Sequence, residues 1–463
     1  MTVIPFEHQG LHVMVKPIGP ICNLDCEYCY YLRKEELYPS GERWRMSLEL
    51  LESFIEQYFA AQPAEIPEVT FAWQGGEPTL LGLDFFEAVV RVQKKHAPPG
   101  LQYANTLQTN GVLLTDEWCQ FFKRENFLIG ISIDGPAEVH DHYRYDKKGN
   151  PTFEKVMQGL HLLKSNEVEF NVLVVVNRVN ARLGKKVYTY LRDNGAEHIQ
   201  FIPIVEKENQ EQTEVERIES EQKQECELHP WGKHVSERSV LPEQYGQFLV
   251  DVFDEWSRRD IGKVFVQIFD QALSAWMGYE PGLCIFRKKC GRALALEHNG
   301  DLYSCDHFVD PDWKLGNIQE TLLPVLANSE RQEQFGSDKE KTLPPFCREC
   351  EVRFVCNGGC PKNRFISTPS GEDGLNYLCA GYKQFFNHID PVMKAMVGEI
   401  KADRSPANVM QMKRNSGKSQ RASAKSTVGK PAVIQGMAPG QLPGRNDPCT
   451  CGSGRKFKKC CGA

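Results

Sequence analysis

The sequence of 463 residues contains no apolar run approaching the roughly 20 residues that a membrane-spanning helix needs. Its first ten residues, MTVIPFEHQG, lack the charged region and the apolar region of a signal peptide, so we expect a cytoplasmic protein. Glycine and proline, at 37 and 27 residues, are not in excess, which excludes collagen-like and low-complexity chains. With 41% hydrophobic residues, the chain can form one large domain and smaller modules.

Charge and cysteine are unevenly distributed along the chain. The formal net charge of −6 combines a charge of −17 over residues 1–400 with a charge of +11 over residues 401–463. Fifteen of the 17 cysteines lie in three clusters or close to them. In a reducing cytosol such clusters indicate metal ligands before disulfides.

Apolar strands alternate with amphipathic helices over the first 205 residues. Strands are predicted at 11–15, 69–73, 103–107, 128–133, 172–176 and 199–204, with helices at 47–60, 83–95, 116–124, 152–164 and 181–194. Short, β-branched, continuously apolar strands indicate a parallel sheet with both faces covered. Six such units predict an α/β fold, a partial (β/α)6 TIM-like barrel. Helical patterns return at 243–256 and 264–277.

Polar groups follow four of these strands, at Gln74-Gly-Gly-Glu-Pro78, Gln108-Thr-Asn-Gly111, Ser132 with Asp134-Gly-Pro136, and Asn177. Each such loop, taken alone, is typical of ordinary turn chemistry. In parallel α/β barrels, however, the loops after the strands form the active site. Four polar loops on one edge therefore predict a functional site there.

The first cysteine cluster, Cys22, Cys26 and Cys29, has the spacing C-x3-C-x2-C and follows the first strand. Three thiolates can hold three corners of a [4Fe–4S] cube and leave one iron open to a small chelating molecule. With Tyr28 before the last cysteine, and with Gly75-Gly76-Glu77-Pro78 after the second strand, the chain resembles the radical S-adenosylmethionine enzymes. The resemblance implies that S-adenosyl-L-methionine chelates the open iron and that this GGEP motif contacts the cofactor.

A second constellation holds eight cysteines between residues 284 and 379. Two tetrahedral thiolate sites follow, either two zinc ions acting as scaffold or two iron–sulfur clusters conducting electrons. The spacing resembles the SPASM extension of radical enzymes that modify peptides. That resemblance implies one auxiliary [4Fe–4S] cluster on Cys284, Cys290, Cys305 and Cys360, and another on Cys347, Cys350, Cys356 and Cys379. The implied total is three clusters.

Across roughly residues 10–390 the chain resembles the anaerobic sulfatase-maturating enzymes. The resemblance implies cofactor contacts from Tyr28, Gly75, Gly76, Glu77, Ser132 and Arg144, a general base at Asp306, and a role for Gln74 in positioning the target side chain. The implied reaction oxidises a Cys or Ser of an unfolded sulfatase, in a Cys/Ser-x-Pro/Ala-x-Arg pattern, to Cα-formylglycine. A reduced flavodoxin- or ferredoxin-like protein is the implied electron donor.

The third cluster, Cys449, Cys451, Cys460 and Cys461, completes a four-thiolate site within about 20 residues. So small a unit cannot build an adequate core, and four closed thiolates favour structural zinc. It resembles the SEC-C module, which implies docking on an export chaperone or ribosome. The alternative is a tail that a bound metal stabilises but that docks on no partner.

These resemblances divide the chain into a radical SAM partial barrel (1–230), a SPASM domain (231–390), a flexible basic linker (391–442) and a SEC-C zinc module (443–463). Two other functions fit the same sequence. One is a different SPASM peptide modifier that forms a thioether or another crosslink. The other is a non-enzymatic adaptor, binding a chaperone or ribosome, in which all the clustered cysteines hold zinc.

Overall fold

A computed structural model of the chain describes residues 10–207 and 235–411. The chain divides into two compact units, Met1–Met410 and Gln411–Ala463. The elements given below all lie in the first unit. The predicted zinc ligands Cys449, Cys451, Cys460 and Cys461 lie outside the described residues, as does most of the predicted linker.

Strands and helices alternate through the first half of the chain as predicted, and their ends differ from the predicted ones by at most three residues. The strands are β1 (His12–Lys16), β2 (Glu68–Trp73), β3 (Gln102–Thr109), β4 (Phe127–Ser132), β5 (Phe170–Val176) and β6 (His198–Pro203). The helices are α1 (Leu48–Ala60), α2 (Leu83–His96), α3 (Asp116–Arg124), α4 (Ala137–His140), α5 (Phe153–Ser165) and α6 (Gly184–Asp193).

Local chemistry explains where these elements start. The Ser47 hydroxyl accepts the Leu50 backbone N–H at the start of α1, and the Thr115 hydroxyl caps α3 in the same way. Along α1 the apolar residues recur at helical spacing, and Leu51, Phe54 and Ile55 are fully buried. Each helix therefore packs one apolar stripe against one face of the sheet.

The sheet extends beyond the six predicted strands on both sides. Its ten strands run in the order β10-β9-β8-β1-β2-β3-β4-β5-β6-β7, the additional ones being β7 (Phe265–Val266), β8 (Ala293–Glu297), β9 (Asp301–Tyr303) and β10 (Lys314–Asn317). Strands β8 and β7 lie parallel to β1 and β6, respectively, and β9 and β10 are antiparallel. The prediction of a helix over 264–277 is wrong at its start, because Phe265 and Val266 pair with β6.

Residues 235–411 add seven helices to the six described in the first half of the chain. They are α7 (Pro242–Arg259), α8 (Gln267–Trp276), α9 (Leu323–Ala327), α10 (Glu330–Lys341), α11 (Pro345–Arg348), α12 (Arg353–Cys356) and α13 (Cys379–Lys401). One continuous apolar core includes residues of both halves. The predicted linker boundary at residue 391 is wrong, because α13 continues to Lys401 and buries Met393, Met396 and Val397. No helix within the described ranges is long and apolar enough to cross a membrane.

Candidate active site

The first cysteine loop follows β1 at the carboxyl end of the parallel strands. The thiols of Cys22, Cys26 and Cys29 lie in one another's electrostatic field, and the side-chain amide of Asn110, after β3, points at the Cys22 sulfur 3.7 Å away. Burial raises the pKa of Cys22 to about 12 and that of Cys26 to about 11. Binding a metal centre deprotonates such thiols, so this donor set fits an iron–sulfur cluster.

The predicted cofactor glycines pack directly against this loop. The Gly76 N–H donates to the Gly19 carbonyl at 2.7 Å, and the next N–H, of Glu77, donates to the Ile21 carbonyl at 2.8 Å. A Cβ on Gly76 would lie 2.0 Å from the Ile21 oxygen. Gly75 has a φ of +134°, a conformation that favours glycine. The glycines therefore allow a backbone cradle to form beside Cys22.

The carboxylate of Glu77 is fully buried and bonded within the protein. It accepts hydrogen bonds from the Thr79 N–H and hydroxyl, the Thr109 hydroxyl and the Asn110 N–H, at 2.6 to 3.0 Å. Its side chain thus joins the loops after β2 and β3. A contact of Glu77 with a cofactor would therefore come from its backbone.

Tyr28, Asp134 and Arg144 form a buried network beside Cys26. The Tyr28 hydroxyl donates to Asp134 at 2.5 Å and accepts from the Arg144 Nη1 at 3.0 Å. The Arg144 Nε is buried and has no hydrogen-bond partner among residues 10–207 and 235–411. A buried donor without a partner is costly, so it fits an acceptor group of a bound molecule. Ser132, half-buried at the end of β4, lies two residues before Asp134.

Asp306 lies in a turn immediately after Cys305, between the first cysteine loop and β1. Its Oδ1 is 2.5 Å from the Lys16 ammonium, and its Oδ2 accepts the Tyr30 hydroxyl at 2.6 Å. Although burial raises the pKa of Asp306, the nearby charges of Lys16 and His307 and the two hydrogen bonds hold it below its usual value. Asp306 is therefore ionised and suited to accept a proton.

Lys16 also binds the second predicted catalytic residue. Its Nζ donates to the Gln74 Oε1 at 2.7 Å, and the Gln74 amide nitrogen donates to Gln108. Sequence reasoning missed Lys16, whereas it placed Gln108 in one of the four polar loops predicted to form the site. The available signal was the single charged residue at the end of the apolar strand β1. Lys16, at the end of β1, thus joins Gln74, which follows β2, to Asp306, which comes after β9.

Four cysteines from distant segments converge beside Asp306. Cys305 follows β9, Cys290 precedes β8, Cys284 starts a short turn, and Cys360 follows α12. The thiol of each lies in the field of others of this set, and His307 Nδ1 is 3.4 Å from the Cys360 sulfur. The structure therefore brings together the first predicted auxiliary set.

The second predicted set also converges. Cys347, Cys350, Cys356 and Cys379 line one small cavity between α11, α12 and the start of α13. Burial raises the pKa of Cys356 to about 11 and that of Cys379 to about 12. The described cysteines are free thiols. Within the described ranges, no three His, Cys, Asp or Glu side chains are close enough to hold a single metal ion.

A cavity of about 680 Å³ runs inside the curved sheet from Gln74 and Cys305 at the carboxyl ends of the strands. Its strand walls carry small or polar side chains, among them Thr70, Thr106, Gln108, Gly130, Asn171 and Gln200, alternating with apolar ones such as Met14, Leu128 and Leu173. In closed (β/α)8 barrels, by contrast, layers of bulky branched side chains fill the interior. The first auxiliary set borders this cavity through Cys284, Cys290 and Cys305. The interior is therefore an open space lined by both amide and apolar side chains.

Comparison with protein families identifies three regions of the chain. Residues 17–183 match the radical SAM superfamily, residues 284–351 match an iron–sulfur cluster-binding domain, and residues 445–463 match the SEC-C motif. The first two matches cover the cysteine loop, the glycine cradle and five of the eight auxiliary cysteines. The third lies outside the described residues.

Relatives that match the chain over most of their own length are anaerobic sulfatase-maturating enzymes. The chain is 48% identical over 421 residues to a serine-type anaerobic sulfatase-maturating enzyme of Bacteroides thetaiotaomicron, covering 89% of this chain and 96% of the relative. It is 33% identical to a cysteine-type anaerobic sulfatase-maturating enzyme of Clostridium novyi, covering 82% of this chain and 95% of that one. The solved structure of native anSMEcpe with bound AdoMet and Kp18Cys peptide is 32% identical, with a TM-score of 0.70, and the match covers 84% of this chain and 99% of that one.

Proposed function

The chain belongs to the anaerobic sulfatase-maturating enzymes of the radical SAM superfamily, and from this we propose how it oxidises a sulfatase residue to Cα-formylglycine. The observation that carries the proposal is the row of contacts linking Gln74, Lys16 and Asp306 beside Cys305. It lies at one end of a cavity large enough for a peptide.

We assign the first site to the cofactor. Cys22, Cys26 and Cys29 would hold a [4Fe–4S] cluster, with S-adenosyl-L-methionine bound by the backbone of Gly75-Gly76-Glu77 and by Tyr28, Ser132 and Arg144. When bound, the cluster and cofactor supply a 5′-deoxyadenosyl radical that removes a β-hydrogen atom from the target. The unpartnered Arg144 Nε and the cradle at Gly76 support this assignment.

Asp306 acts on the resulting carbon radical as the general base. It accepts the hydroxyl proton of a serine radical, or the thiol proton of a cysteine radical, while Gln74 orients the side chain. One electron then remains to be removed to give the carbonyl or thiocarbonyl group. Because Cys305 directly precedes Asp306, the first auxiliary set is the one suited to accept it. Three [4Fe–4S] clusters in all follow from the three cysteine sets.

We propose serine as the target residue. The relative with 48% identity is serine-type, as are two Klebsiella relatives at 36% identity, whereas the cysteine-type relatives are 32–33% identical. The expected recognition sequence is Ser-x-Pro/Ala-x-Arg in an unfolded sulfatase.

A pair of matched peptides tests the function. Anaerobically reconstituted protein, a reductant and S-adenosyl-L-methionine are incubated with peptides that differ only in Ser or Cys at the target position. We expect the Ser peptide to lose two hydrogen atoms by mass spectrometry and to react with a hydrazide, which traps an aldehyde. A peptide that loses hydrogen without hydrazide reactivity would indicate a crosslinking enzyme instead. An unchanged peptide alongside cofactor cleavage would exclude both modifications.

We further propose that the target peptide lies in the cavity and that amide side chains hydrogen-bond its backbone. Gln200 and Gln267 face the cavity from β6 and α8. Each hydrogen bond contributes about 0.5–1.5 kcal/mol, so Gln200→Ala and Gln267→Ala should each raise the KM for peptide roughly 2- to 10-fold with little change in kcat. Gln247→Ala, on the exposed surface of α7, is the control. Equal KM values in all three variants would place the peptide elsewhere.

The tail has a separate proposed role. Cys449, Cys451, Cys460 and Cys461 would hold Zn²⁺ in the SEC-C motif, and the basic tail would dock on an export chaperone or a ribosome. We also propose a cytoplasmic location and a reduced flavodoxin- or ferredoxin-like electron donor.

A further inference from the structure

Lys339 is a buried lysine whose ammonium group has no acidic partner within the described part of the chain. Its side chain, on α10, is 1% exposed. The Nζ donates to the backbone carbonyls of Cys284 and Ile285, at 2.5 and 2.9 Å. No described carboxylate lies within 4 Å of it. Two carbonyl dipoles do not neutralise a buried positive charge, which is costly unless an anion lies nearby.

Helix α10 holds this charge in a fixed place. Its buried residues, Gln332, Phe335, Gly336 and Lys339, form one face at helical spacing, while the rest of its sequence is mostly polar and exposed. Gly336 packs against the Cys290 backbone, whose N–H donates to the Gly336 carbonyl at 3.1 Å, and a Cβ on Gly336 would lie 2.6 Å from the Cys290 carbonyl oxygen. The backbone of the helix that carries Lys339 is therefore held directly against the Cys290 segment of the first auxiliary set.

The ammonium lies in the electrostatic field of the thiols of Cys284, Cys290 and Cys360, and also in that of the Arg364 guanidinium. A second buried cation, Arg364, donates to the carbonyls of Lys339, Asn357 and Gly358, and it lies in the field of thiols from both auxiliary sets. As thiols, these cysteines are neutral and leave both cations uncompensated. As thiolates around a cluster, they supply the missing negative charge.

We propose that Lys339 is the counter-ion of the first auxiliary cluster and raises its reduction potential, so that the cluster accepts the electron of the substrate radical. This rests on the proposed function of the first auxiliary set. In that step the substrate radical loses one electron and one proton to become the aldehyde. The proton goes to Asp306, and the electron would add one negative charge to a cluster held by Cys284, Cys290, Cys305 and Cys360. A fixed positive charge stabilises the more negative, reduced form.

The test is a redox titration of the full-length, anaerobically reconstituted protein, followed by electron paramagnetic resonance. In Lys339→Met, one auxiliary cluster should become harder to reduce. At the wild-type midpoint potential, its ratio of reduced to oxidised form should fall roughly tenfold, equivalent to about 59 mV for one electron. Lys339→Arg keeps the charge and should keep a potential close to that of the wild type. Lys341→Met, at an exposed position two residues further along α10, is the matched control.

Iron and sulfide are measured in every variant. An unchanged or more positive potential in fully loaded Lys339→Met would overturn the proposal. Loss of one cluster from Lys339→Met but not from Lys339→Arg would support it, since the cluster then depends on the charge. Loss from both variants would overturn it. The proposed function is tested separately. If it is wrong, the wild-type protein will form no formylglycine, whatever the reduction potentials of its clusters.

Discussion

Asp306→Asn should lose formylglycine formation by about 10²- to 10⁴-fold, the usual contribution of a positioned general base. The asparagine has nearly the same shape and can still accept the Tyr30 hydroxyl, but it cannot take the proton of the target residue. Radical generation requires none of the contacts of Asp306, so S-adenosyl-L-methionine should still be cleaved. The measurement is the ratio of formylglycine to 5′-deoxyadenosine with the Ser peptide.

Asp312→Asn is the matched control, because Asp312 is an exposed carboxylate in the next turn of the same segment. It should keep the wild-type ratio. If Asp306→Asn kept that ratio as well, another group would have to be the base. If both products fell together, Asp306 would support the site rather than the proton transfer, because it also binds Lys16.

Cys26→Ala should abolish both cofactor cleavage and formylglycine formation. Two thiolates cannot hold a cube that needs three protein ligands, and the open iron that would chelate the cofactor is lost with it. Iron analysis should show the loss of one cluster of three. Cys356→Ala, in the second auxiliary set, should also lose one cluster but should still cleave the cofactor, because the cofactor site is intact.

Cys119→Ala provides the control for removing a buried thiol. Cys119 is fully buried in α3, away from the cysteine sets, and should retain all iron and activity. Cofactor cleavage by Cys26→Ala at the wild-type rate would refute the assignment of the first cysteine loop. A colourless wild-type protein that binds only zinc after anaerobic reconstitution would instead favour the adaptor function.

Local patterns made much of the fold predictable. The helices start at residues such as Ser47 and Thr115 because a hydroxyl satisfies a free N–H within three residues. The strands β1–β6 were recognisable because short runs rich in apolar and β-branched residues, bounded by turn residues, are typical of strands. Phe265–Val266 escaped this reasoning, because two apolar residues before a helix have the same pattern in either structure.

Some residues of the candidate site could likewise be predicted from the sequence, and others could not. The cysteine spacing and the glycines are close in sequence, so the first loop and the residues after each strand could be named beforehand. Lys16 and Lys339 could not, and Asp134 was predicted only as part of a polar loop, because their roles depend on partners such as Asp306, Cys284 and Tyr28, which are distant in the chain. Glu77 was predicted to contact the cofactor, but its carboxylate is bonded to Thr79, Thr109 and Asn110.

The sequence by itself determined the order of strands and helices, the cysteine sets that its family resemblance implied, and the division between an acidic enzyme and a basic tail. These depend on spacing and composition within short stretches of chain. Only the tertiary structure decided that the cavity inside the sheet stays open and that Lys16 joins Gln74 to Asp306. It also decided that the buried Lys339 ammonium lies near the thiols of the first auxiliary set. The physical reason is that burial and charge pairing arise when distant segments pack against one another.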